Sequence, residues 1–456
     1  MNKGQSIAIS DWVKIGVIGV MCMAQTFPYY LVNSTVPTIF RAEGLELKDF
    51  WAFSFLTIPA WAKFVWAPIV DRYGWRRFGL RKSWILACTS LGAFSLIWLS
   101  FTPPSTETLF AVVAVLFVHM VIMQTQDIAV DAYTLENLKA HERGAGASVK
   151  VVFEGIGEAL ALAGLMYIFT RWTFGGAETG WVPMIFVASL LLMVFTTPVL
   201  IRQEPPLANE IAKRRAAGDN PRIMKFVRRI DTPFITGILF VGGFINFMLP
   251  ALWGAMLVDF EFSLLEIGII LGVITPIGAP LGAIITGTLV TTFGLRKIVS
   301  AMAVLGAVCF VIVLTGAGAG FNPAPWFAPI GGALMQLNPD WAGAPRVVFA
   351  MITLLPAVFM LASLHMIMTV SRMGWASRTQ AGTDFTLHGA VYNIGRTVTV
   401  ALSPFIASAF GWTAFLFIMG ALIIGLLLVY RIGMPQLDEL CNRRRVQEGE
   451  LTEMLI

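Results

Sequence analysis

Charge is scarce in this sequence of 456 residues. Only 13% of them are Asp, Glu, Lys or Arg, about half of the roughly 25% that is usual in a soluble domain. Hydrophobic residues make up 57% and fall into apolar runs of about 20 residues, the length that crosses a hydrocarbon core of about 30 Å. The composition therefore excludes an ordinary soluble domain and predicts a helical protein in a lipid bilayer.

Short motifs for other kinds of chemistry are also lacking. The four cysteines are scattered, without a Cys-x-x-Cys pair or the spacing of a metal site. The sequence has no GxxxxGKS or GxxxxGKT loop for a nucleotide, no HExxH and no GxSxG. We therefore predict no cofactor, no metal site and no enzymatic activity, and we do not expect ATP to drive the protein.

Twelve membrane spans are predicted, six on each side of the polar segment 202–231. They cover residues 12–33, 50–70, 83–101, 109–132, 146–169, 181–201, 232–256, 265–290, 298–317, 347–370, 382–407 and 411–431. This pattern predicts an all-α membrane protein with twelve transmembrane helices in two pseudo-symmetric six-helix bundles. The predicted domains are an N-terminal bundle (1–201), a cytoplasmic linker (202–231), a C-terminal bundle (232–431) and a cytoplasmic tail (432–456).

The basic residues fall mainly on one side of these spans. Loop 71–82 holds five Lys or Arg residues, the linker holds eight and the tail from Arg431 holds four, against four on the opposite side. By the positive-inside rule, both termini are expected in the cytoplasm of a protein of the inner membrane. The net charge of +5 therefore reflects orientation in the membrane and does not predict nucleic-acid binding.

The loops after the second span of each half contain similar segments. APIVDRYGWRR (67–77) matches GTLVTTFGLRK (287–297), which pairs Gly74 with Gly294, Arg76 with Arg296, and Arg77 with Lys297. A glycine allows a tight turn, and charged side chains can bind neighbouring helix ends. We predict a cytoplasmic gate formed by these residues with Asp71, Arg72 and Arg143. The alternative is that the loop charges only orient the spans.

The fifth spans of the two halves also match. RGAGASVKVVFEGIGEAL (143–160) aligns without gaps with AGTDFTLHGAVYNIGRTV (381–398). The aligned pairs are Gly144 with Gly382, Lys150 with His388, Glu154 with Tyr392, Gly157 with Gly395, and Glu158 with Arg396. Two parallel six-span repeats with matched polar residues in the membrane are typical of a secondary transporter.

These polar residues recur at helical spacing. Lys150, Glu154 and Glu158 follow one another at intervals of four residues, so they share one helix face. Asp384, His388, Tyr392 and Arg396 do the same on the eleventh span. We predict that both faces line a cavity for solute and protons, where Glu158 and Arg396 pair when the cavity is empty. The alternative is that they form structural pairs between helices.

Several further polar residues lie in or near the first-half spans. Asp127 and Asp131 could bind a proton or anchor the gate through Arg72 or Arg143, or they could belong to a helix-end network. Lys63 could contact an anionic solute or pair with a carboxylate. His119 and His365 could titrate near neutral pH, but a packing role is the favoured interpretation for both.

The loop DRYGWRRFGLRK (71–82) resembles the inter-span motif of the major facilitator superfamily. Further segments resemble the branch that contains AmpG-type muropeptide permeases, acetyl-CoA transporters and siderophore permeases. They are KFVWAP (63–68), FGLRKSW (78–84), QDIAVDA (126–132) and ERGAGA (142–147), with Gly395-Arg396, Pro404 and Gly411-Trp412 in the second half.

The resemblance implies alternating-access import of a bulky anionic solute, muropeptide-like or siderophore-like, together with protons. Its expected partners are this small-molecule solute, protons and the lipid bilayer, and the protein is expected to be a monomer. Two alternatives stay open at this point. One is an acetyl-CoA-type uniporter or exchanger, and the other is a membrane sensor that keeps the same fold without transport.

Overall fold

Long apolar helices make up most of the chain in the computed structural model, which describes residues 9–75, 79–138, 142–172, 180–201, 228–337, 343–376 and 381–447. These described ranges contain helices and loops without β-strands. Within them, nine helices are long and apolar enough to cross a membrane. The predicted all-α membrane architecture is confirmed, whereas the count of twelve spans is not.

The chain divides into two units. The first contains Met1–Glu46, Phe55–Asn220 and Phe262–Pro276, and the second contains Leu47–Ser54, Pro221–Glu261 and Ile277–Ile456. This division resembles the predicted two halves, although two short segments cross over. The predicted boundaries fall in a linker of which residues 202–227 lie outside the described ranges, so they stay a prediction.

The first unit is built mainly from ten α-helices. They are α1 (Ile9–Tyr30), α2 (Val36–Ala42), α3 (Ile58–Ala62), α4 (Ala67–Arg72), α5 (Leu80–Ser100), α6 (Leu109–Asn137), α7 (Arg143–Ala159), α8 (Leu165–Arg171), α9 (Trp181–Thr196) and α10 (Pro198–Ile201). A buried apolar cluster joins several of them. It contains Met21, Val70, Ile85, Ala129, Val130, Tyr133 and Val199.

The helices that follow are α11 (Thr232–Asn246), α12 (Trp253–Asp259), α13 (Leu264–Phe293), α14 (Leu295–Gly318), α15 (Ala328–Leu337), α16 (Ala344–Trp375) and α17 (Ala381–Gln447). The last of these is interrupted at Gly411, whose φ of 77° is not helical. This break lies where the predicted eleventh and twelfth spans meet, so two predicted spans appear as one interrupted helix.

Two predicted spans are broken into shorter pieces. Residues Leu47–Arg72 form two 3-10 segments, Leu47–Thr57 and Lys63–Val65, together with α3 and α4. Pro59 and Pro68 lie in the first turns of α3 and α4, where a residue without an N–H ends the preceding hydrogen-bond ladder. The predicted seventh span is likewise divided into α11 and α12. Hydropathy alone does not detect such breaks, so it predicted continuous spans.

Two π-helical turns face each other in the first unit. Leu31–Thr35 continues from α1, and Leu160–Gly164 continues from α7. The hydroxyl of Thr35 donates a hydrogen bond to the carbonyl oxygen of Ala161 at 2.7 Å. A π-turn inserts an extra residue into a helix and often marks a functional site. The region around these turns is therefore a candidate for function.

The matched glycines of the fifth spans have the same packing role. A Cβ atom at Gly157 would lie 3.1 Å from the backbone oxygen of Met23 in α1, and one at Gly395 would collide with the backbone of α11 at Phe240 and Phe244. In each unit, a glycine therefore lets the helix containing the predicted fifth span approach the first helix closely. This shared packing supports the internal repeat.

The loops before the third spans show a different register from the predicted one. Gly79 and Gly294 have φ values of 102° and 83°, a conformation that favours glycine. Each directly precedes a long helix, α5 or α14, and each begins the sequence Gly-Leu-Arg-Lys. The backbone therefore pairs Gly294 with Gly79, and the predicted pairing with Gly74 is wrong. Arg296 and Lys297 correspond to Arg81 and Lys82.

Candidate functional site

Lys63 and Asp127 form an ion pair in the first unit. Lys63 begins the 3-10 turn between α3 and α4, and Asp127 lies on α6. The neighbouring Trp66 donates from Nε1 to the hydroxyl of Thr125 at 3.1 Å, which fastens the same turn to the same helix. Of the two interpretations of Lys63, the structure shows the pairing with a carboxylate.

A second cluster is centred on Lys150. Its Nζ lies 3.4 Å from Oδ1 of Asp131 and 3.7 Å from Oε1 of Glu154. The Asp131 side chain is 49% exposed, although it lies on a candidate membrane helix. Charged groups within spans normally face a bundle interior or a wet cavity because lipid cannot solvate them. The cluster is thus an exposed group of charges on α6 and α7, and its location in a solute cavity stays a prediction.

Glu158 has a different environment from the other three carboxylates. It is only 6% exposed, and no Lys or Arg of the described chain forms an ion pair with it. Its side chain instead interacts with the side chains of Tyr30 on α1 and Thr275 on α13. Glu154 lies one turn earlier on the same helix. Glu158 is thus a buried acid surrounded by neutral polar groups.

Tyr30 was not predicted from the sequence. It is the last residue of α1, and the π-turn Leu31–Thr35 follows directly. Glu158 lies at the end of α7, just before the π-turn Leu160–Gly164. The signal in the sequence was a tyrosine hydroxyl within an apolar run, but its partner lies 128 positions away in the sequence. Only the packing of α1 against α7 shows the connection.

His119 is a packing residue. It is fully buried, and its Nδ1 lies 2.8 Å from the hydroxyl oxygen of Ser95 on α5. A nearby chain of hydrogen bonds runs from Gln126 Nε2 to Thr89, at 2.6 Å, and on to Thr196. These contacts connect α5, α6 and α9 and favour the structural interpretation of His119.

The structural interpretation is also favoured for Asp384. It is fully buried and forms an ion pair with Arg229, just before α11. Asp231 forms a second buried pair with Arg444 at 2.9 Å. For Asp384 the structure shows a structural ion pair, which joins α17 to the segment before α11, and a structural pair was the alternative to lining a cavity. An equivalent pair joins Lys14 Nζ to Glu142 Oε2 at 2.5 Å in the first unit.

The other three polar residues of the predicted eleventh span lie among aromatic rings. The guanidinium of Arg396 lies 5.0 Å from the centre of the Phe247 ring. The Tyr392 hydroxyl lies 3.1 Å from Nδ1 of His365, so this histidine of α16 contacts the predicted site. His388 is buried with its ring edge-on to Trp375.

Arg372 joins this aromatic group, although no pattern in the sequence singled it out. Its guanidinium lies 5.3 Å from the centre of the Tyr392 ring and 5.2 Å from that of Phe385. Its Nη2 donates to the hydroxyl of Thr369 at 2.8 Å. At the end of an apolar span, an arginine is ordinarily interpreted as an orientation signal, so its position among the rings became visible only in the structure.

The predicted cytoplasmic gate is described only in part. Arg76 and Arg77 lie outside the described residues, and the side chains of Asp71, Arg72 and Arg143 are not described. The backbone N–H of Trp75 donates to the hydroxyl of Ser83 at 3.0 Å, and Trp84 Nε1 donates to the carbonyl of Tyr73. The extended segment that contains Gly74 is therefore tied to the start of α5. At the start of α14, Arg296 and Lys297 are exposed.

The comparison with known families settles the class of the protein. The model of the Major Facilitator Superfamily matches residues 18–335, well over half of the chain. The chain belongs to the major facilitator superfamily. It is therefore a multi-pass membrane protein of a family whose members move small solutes across membranes and are transporters rather than enzymes. The AmpG-like resemblance is also supported by curated relatives.

Two of these relatives carry AmpG-type names. The anhydromuropeptide permease of Escherichia coli K12 is 27% identical over 203 residues, which is 44% of this chain and 40% of the permease. A Rickettsia conorii protein that carries the name AmpG 4 is 24% identical over 197 residues, 42% of this chain and 46% of that protein. The chain thus matches less than half the length of these relatives.

Solved structures of major facilitator transporters share the fold over nearly the whole chain. The D-xylose–proton symporter has a TM-score of 0.62 at 14% identity, covering 92% of this chain and 97% of the symporter. The nucleoside transporter NupG has a TM-score of 0.62 at 11% identity, covering 92% of this chain and 98% of that transporter. At such low identity the likeness concerns the fold alone.

Proposed function

We propose that this major facilitator protein imports an anionic, muropeptide-like solute across the inner membrane by alternating access, coupled to protons. Its twelve spans would form two six-span halves joined by the cytoplasmic linker 202–231, with both termini in the cytoplasm. The muropeptide assignment is supported by the E. coli anhydromuropeptide permease, whose similarity covers 203 residues. The protein would act as a monomer.

The observation that carries proton coupling is the contrast among four carboxylates in the first unit. Asp127 pairs with Lys63, while Asp131 and Glu154 share Lys150. Glu158 has no cation among the described residues and is the most buried of the four. The four acids are thus not equivalent, and Glu158 alone depends on neutral partners.

The proton role is assigned to Glu158 because this carboxyl group is buried and no Lys or Arg among the described residues pairs with it. Removing an ionised carboxylate from water without a cation costs several kcal/mol, whereas a neutral acid can be satisfied by hydroxyl groups. The side chains that face it are Tyr30 from α1 and Thr275 from α13, with Glu154 on its own helix. When the protein changes conformation and water reaches Glu158, the acid can release its proton. This cycle would couple proton entry to solute movement.

The test is uptake into proteoliposomes that are acidic outside and negative inside. Labelled muropeptide, ferric siderophore and acetyl-CoA are offered in parallel. We expect only the muropeptide to accumulate, and we expect a protonophore to collapse that accumulation. Protonophore-insensitive equilibration would indicate a uniporter and remove the proton role of Glu158, while accumulation of another solute would overturn the substrate assignment.

The variant Glu158→Gln separates coupling from binding. Gln keeps the shape of a protonated Glu but cannot release a proton, so accumulation should be lost while solute counterflow, which needs no net proton movement, continues. Glu439→Gln is the matched control, because Glu439 lies on the exposed surface of α17 in a pair with Arg443. Wild-type accumulation by Glu158→Gln would exclude Glu158 as the proton carrier.

A further inference from the structure

The second unit contains more buried arginines than buried carboxylates. Among the described residues, the buried arginines of this unit are Arg229, Arg372, Arg396 and Arg444, whereas its buried carboxylates are Asp231 and Asp384. Both carboxylates are already in ion pairs, with Arg444 and Arg229. Neither of these carboxylates is therefore left to pair with Arg372.

Arg372 is the clearest case. Its side chain is buried, with 8% of the residue exposed, and no carboxylate of the described chain forms an ion pair with it. The Nε atom also lacks a hydrogen-bond acceptor among those residues, and Nη2 uses the Thr369 hydroxyl. A guanidinium has five N–H donors. A buried donor without an acceptor is destabilising, and more so when it carries a charge.

The aromatic rings hold this guanidinium in place and leave its donors available. Tyr392 and Phe385 both lie within 5.3 Å of it, measured from Cζ to each ring centre. Such cation–π contacts stabilise the charge through the ring faces without occupying an N–H with an oxygen acceptor. The arrangement therefore keeps a cation in the membrane region and leaves hydrogen-bonding capacity for a ligand.

The surroundings give a ligand access. Phe385 is exposed, and His365 is exposed on α16 although Leu364, Ile367 and Met368 beside it are buried. A polar imidazole exposed within a span is expected to face water rather than lipid. Through the hydrogen bond from His365 to Tyr392, this wet face continues to the ring that contacts Arg372.

We infer that Arg372, held between Phe385 and Tyr392, binds a carboxylate of the transported solute. A carboxylate accepts two parallel hydrogen bonds from a guanidinium, and this fork geometry is stronger and more selective than a contact with a point charge. The inference rests on the proposed function, because it assigns a residue to recognition of the same anionic solute. Tyr392 is then a positioning residue that fixes the plane of the guanidinium.

Isothermal titration of the purified full-length protein tests this assignment. The probes are a muropeptide with free peptide carboxylates and the same muropeptide with those carboxylates amidated. Wild-type protein should bind the acid about 10- to 100-fold more tightly than the amide, as expected for charge-assisted hydrogen bonds. Arg372→Gln should bind both forms with the affinity that the wild type shows for the amide. Arg372→Lys should fall between them, because it keeps the charge and loses the fork.

The controls separate recognition from folding and from the proposed function. Arg443→Gln removes an exposed arginine of α17 and should keep the wild-type preference for the acid over the amide. Amide binding that is retained by Arg372→Gln shows that this variant is folded. If wild-type protein does not discriminate, or if Arg372→Gln keeps the full preference, the assignment of Arg372 is overturned while uptake stands. If wild-type protein neither binds nor takes up either form, the proposed function falls and this inference falls with it.

Discussion

The side chain of Tyr30 contacts the carboxyl group of Glu158, and each residue lies at the end of an α-helix that continues as a π-helical turn. Two helices of one unit are thus irregular at the same level, and a buried acid lies between them. Helix irregularity in a membrane requires compensating contacts, which Thr35 supplies through its bond to Ala161. The environment of Glu158 therefore depends on the local backbone geometry of α1 and α7.

Replacing Tyr30 by Phe should weaken proton-driven accumulation without abolishing counterflow. The change removes the hydroxyl that faces Glu158 and keeps the ring, so the acid loses a polar partner while the helix packing is preserved. We expect the initial rate of muropeptide accumulation in proteoliposomes to fall by up to about tenfold, as for loss of one neutral hydrogen bond worth about 0.5–1.5 kcal/mol. Tyr167→Phe, at an exposed position of α8, should behave as wild type. Equal rates for both variants would show that the Tyr30 hydroxyl has no part in transport.

Arg396→Ala and Glu158→Ala should each abolish uptake while expression remains at the wild-type level. Arg396 is buried on the ring of Phe247, and the change removes both its charge and its packing. Uptake and membrane abundance are measured in the same preparation, with Arg443→Ala as the exposed control. Normal accumulation in both variants would exclude these residues from the transport site.

Breaking the Arg229–Asp384 pair should lower the thermal stability of the protein. Asp384→Asn leaves a buried arginine without its carboxylate, a change that costs about 3–5 kcal/mol in known cases. Thermal unfolding in detergent should show a midpoint lower by roughly 5 °C or more. Glu439→Gln disrupts an exposed pair, worth about 0.3–0.5 kcal/mol, and should leave the midpoint almost unchanged. An unchanged midpoint for Asp384→Asn would argue that the pair is not structural.

Gly395→Ala should separate α11 from α17. The added Cβ would lie 2.8 Å from the backbone nitrogen of Phe244 and closer still to the carbonyl of Phe240, and overpacking of this kind costs about 1–3 kcal/mol. We expect a lower thermal midpoint and slower uptake. Gly237→Ala is the matched control in α11, since no atom lies within 4 Å of its added Cβ. If the two variants are equally stable, close approach at Gly395 is not required.

Hydropathy and charge spacing were sufficient to predict the helical membrane fold, and the loop motif was sufficient to predict the superfamily. They were not sufficient for the number of continuous spans, because Pro59 and Pro68 break the helical ladder inside one apolar run. The predicted register of the internal repeat was also wrong at Gly74. The positive φ of Gly294 has its equivalent at Gly79. Such differences depend on local geometry, which residue type alone does not fix.

In the candidate site, contacts within one helix could be predicted from the sequence, but contacts between helices could not. The i+4 spacing correctly placed Lys150 beside Glu154, because that contact is set by helix geometry. The partner of Asp384 is 155 positions away, and no spacing rule identifies it. Arg372 and Tyr30 were missed for the same reason, because their importance comes from side chains on other helices.

The ion pairs Lys14–Glu142 and Arg229–Asp384 also have a consequence for biogenesis. Their partners are separated by 128 and 155 residues, so during synthesis the first helix of each unit enters the membrane long before its counter-charge exists. Until the later residue is synthesised, Lys14 or Arg229 lacks the carboxylate that it binds in the folded protein, and we expect the charge to stay hydrated near the membrane surface. Each of these two ion pairs can therefore form only after much of its unit has been synthesised.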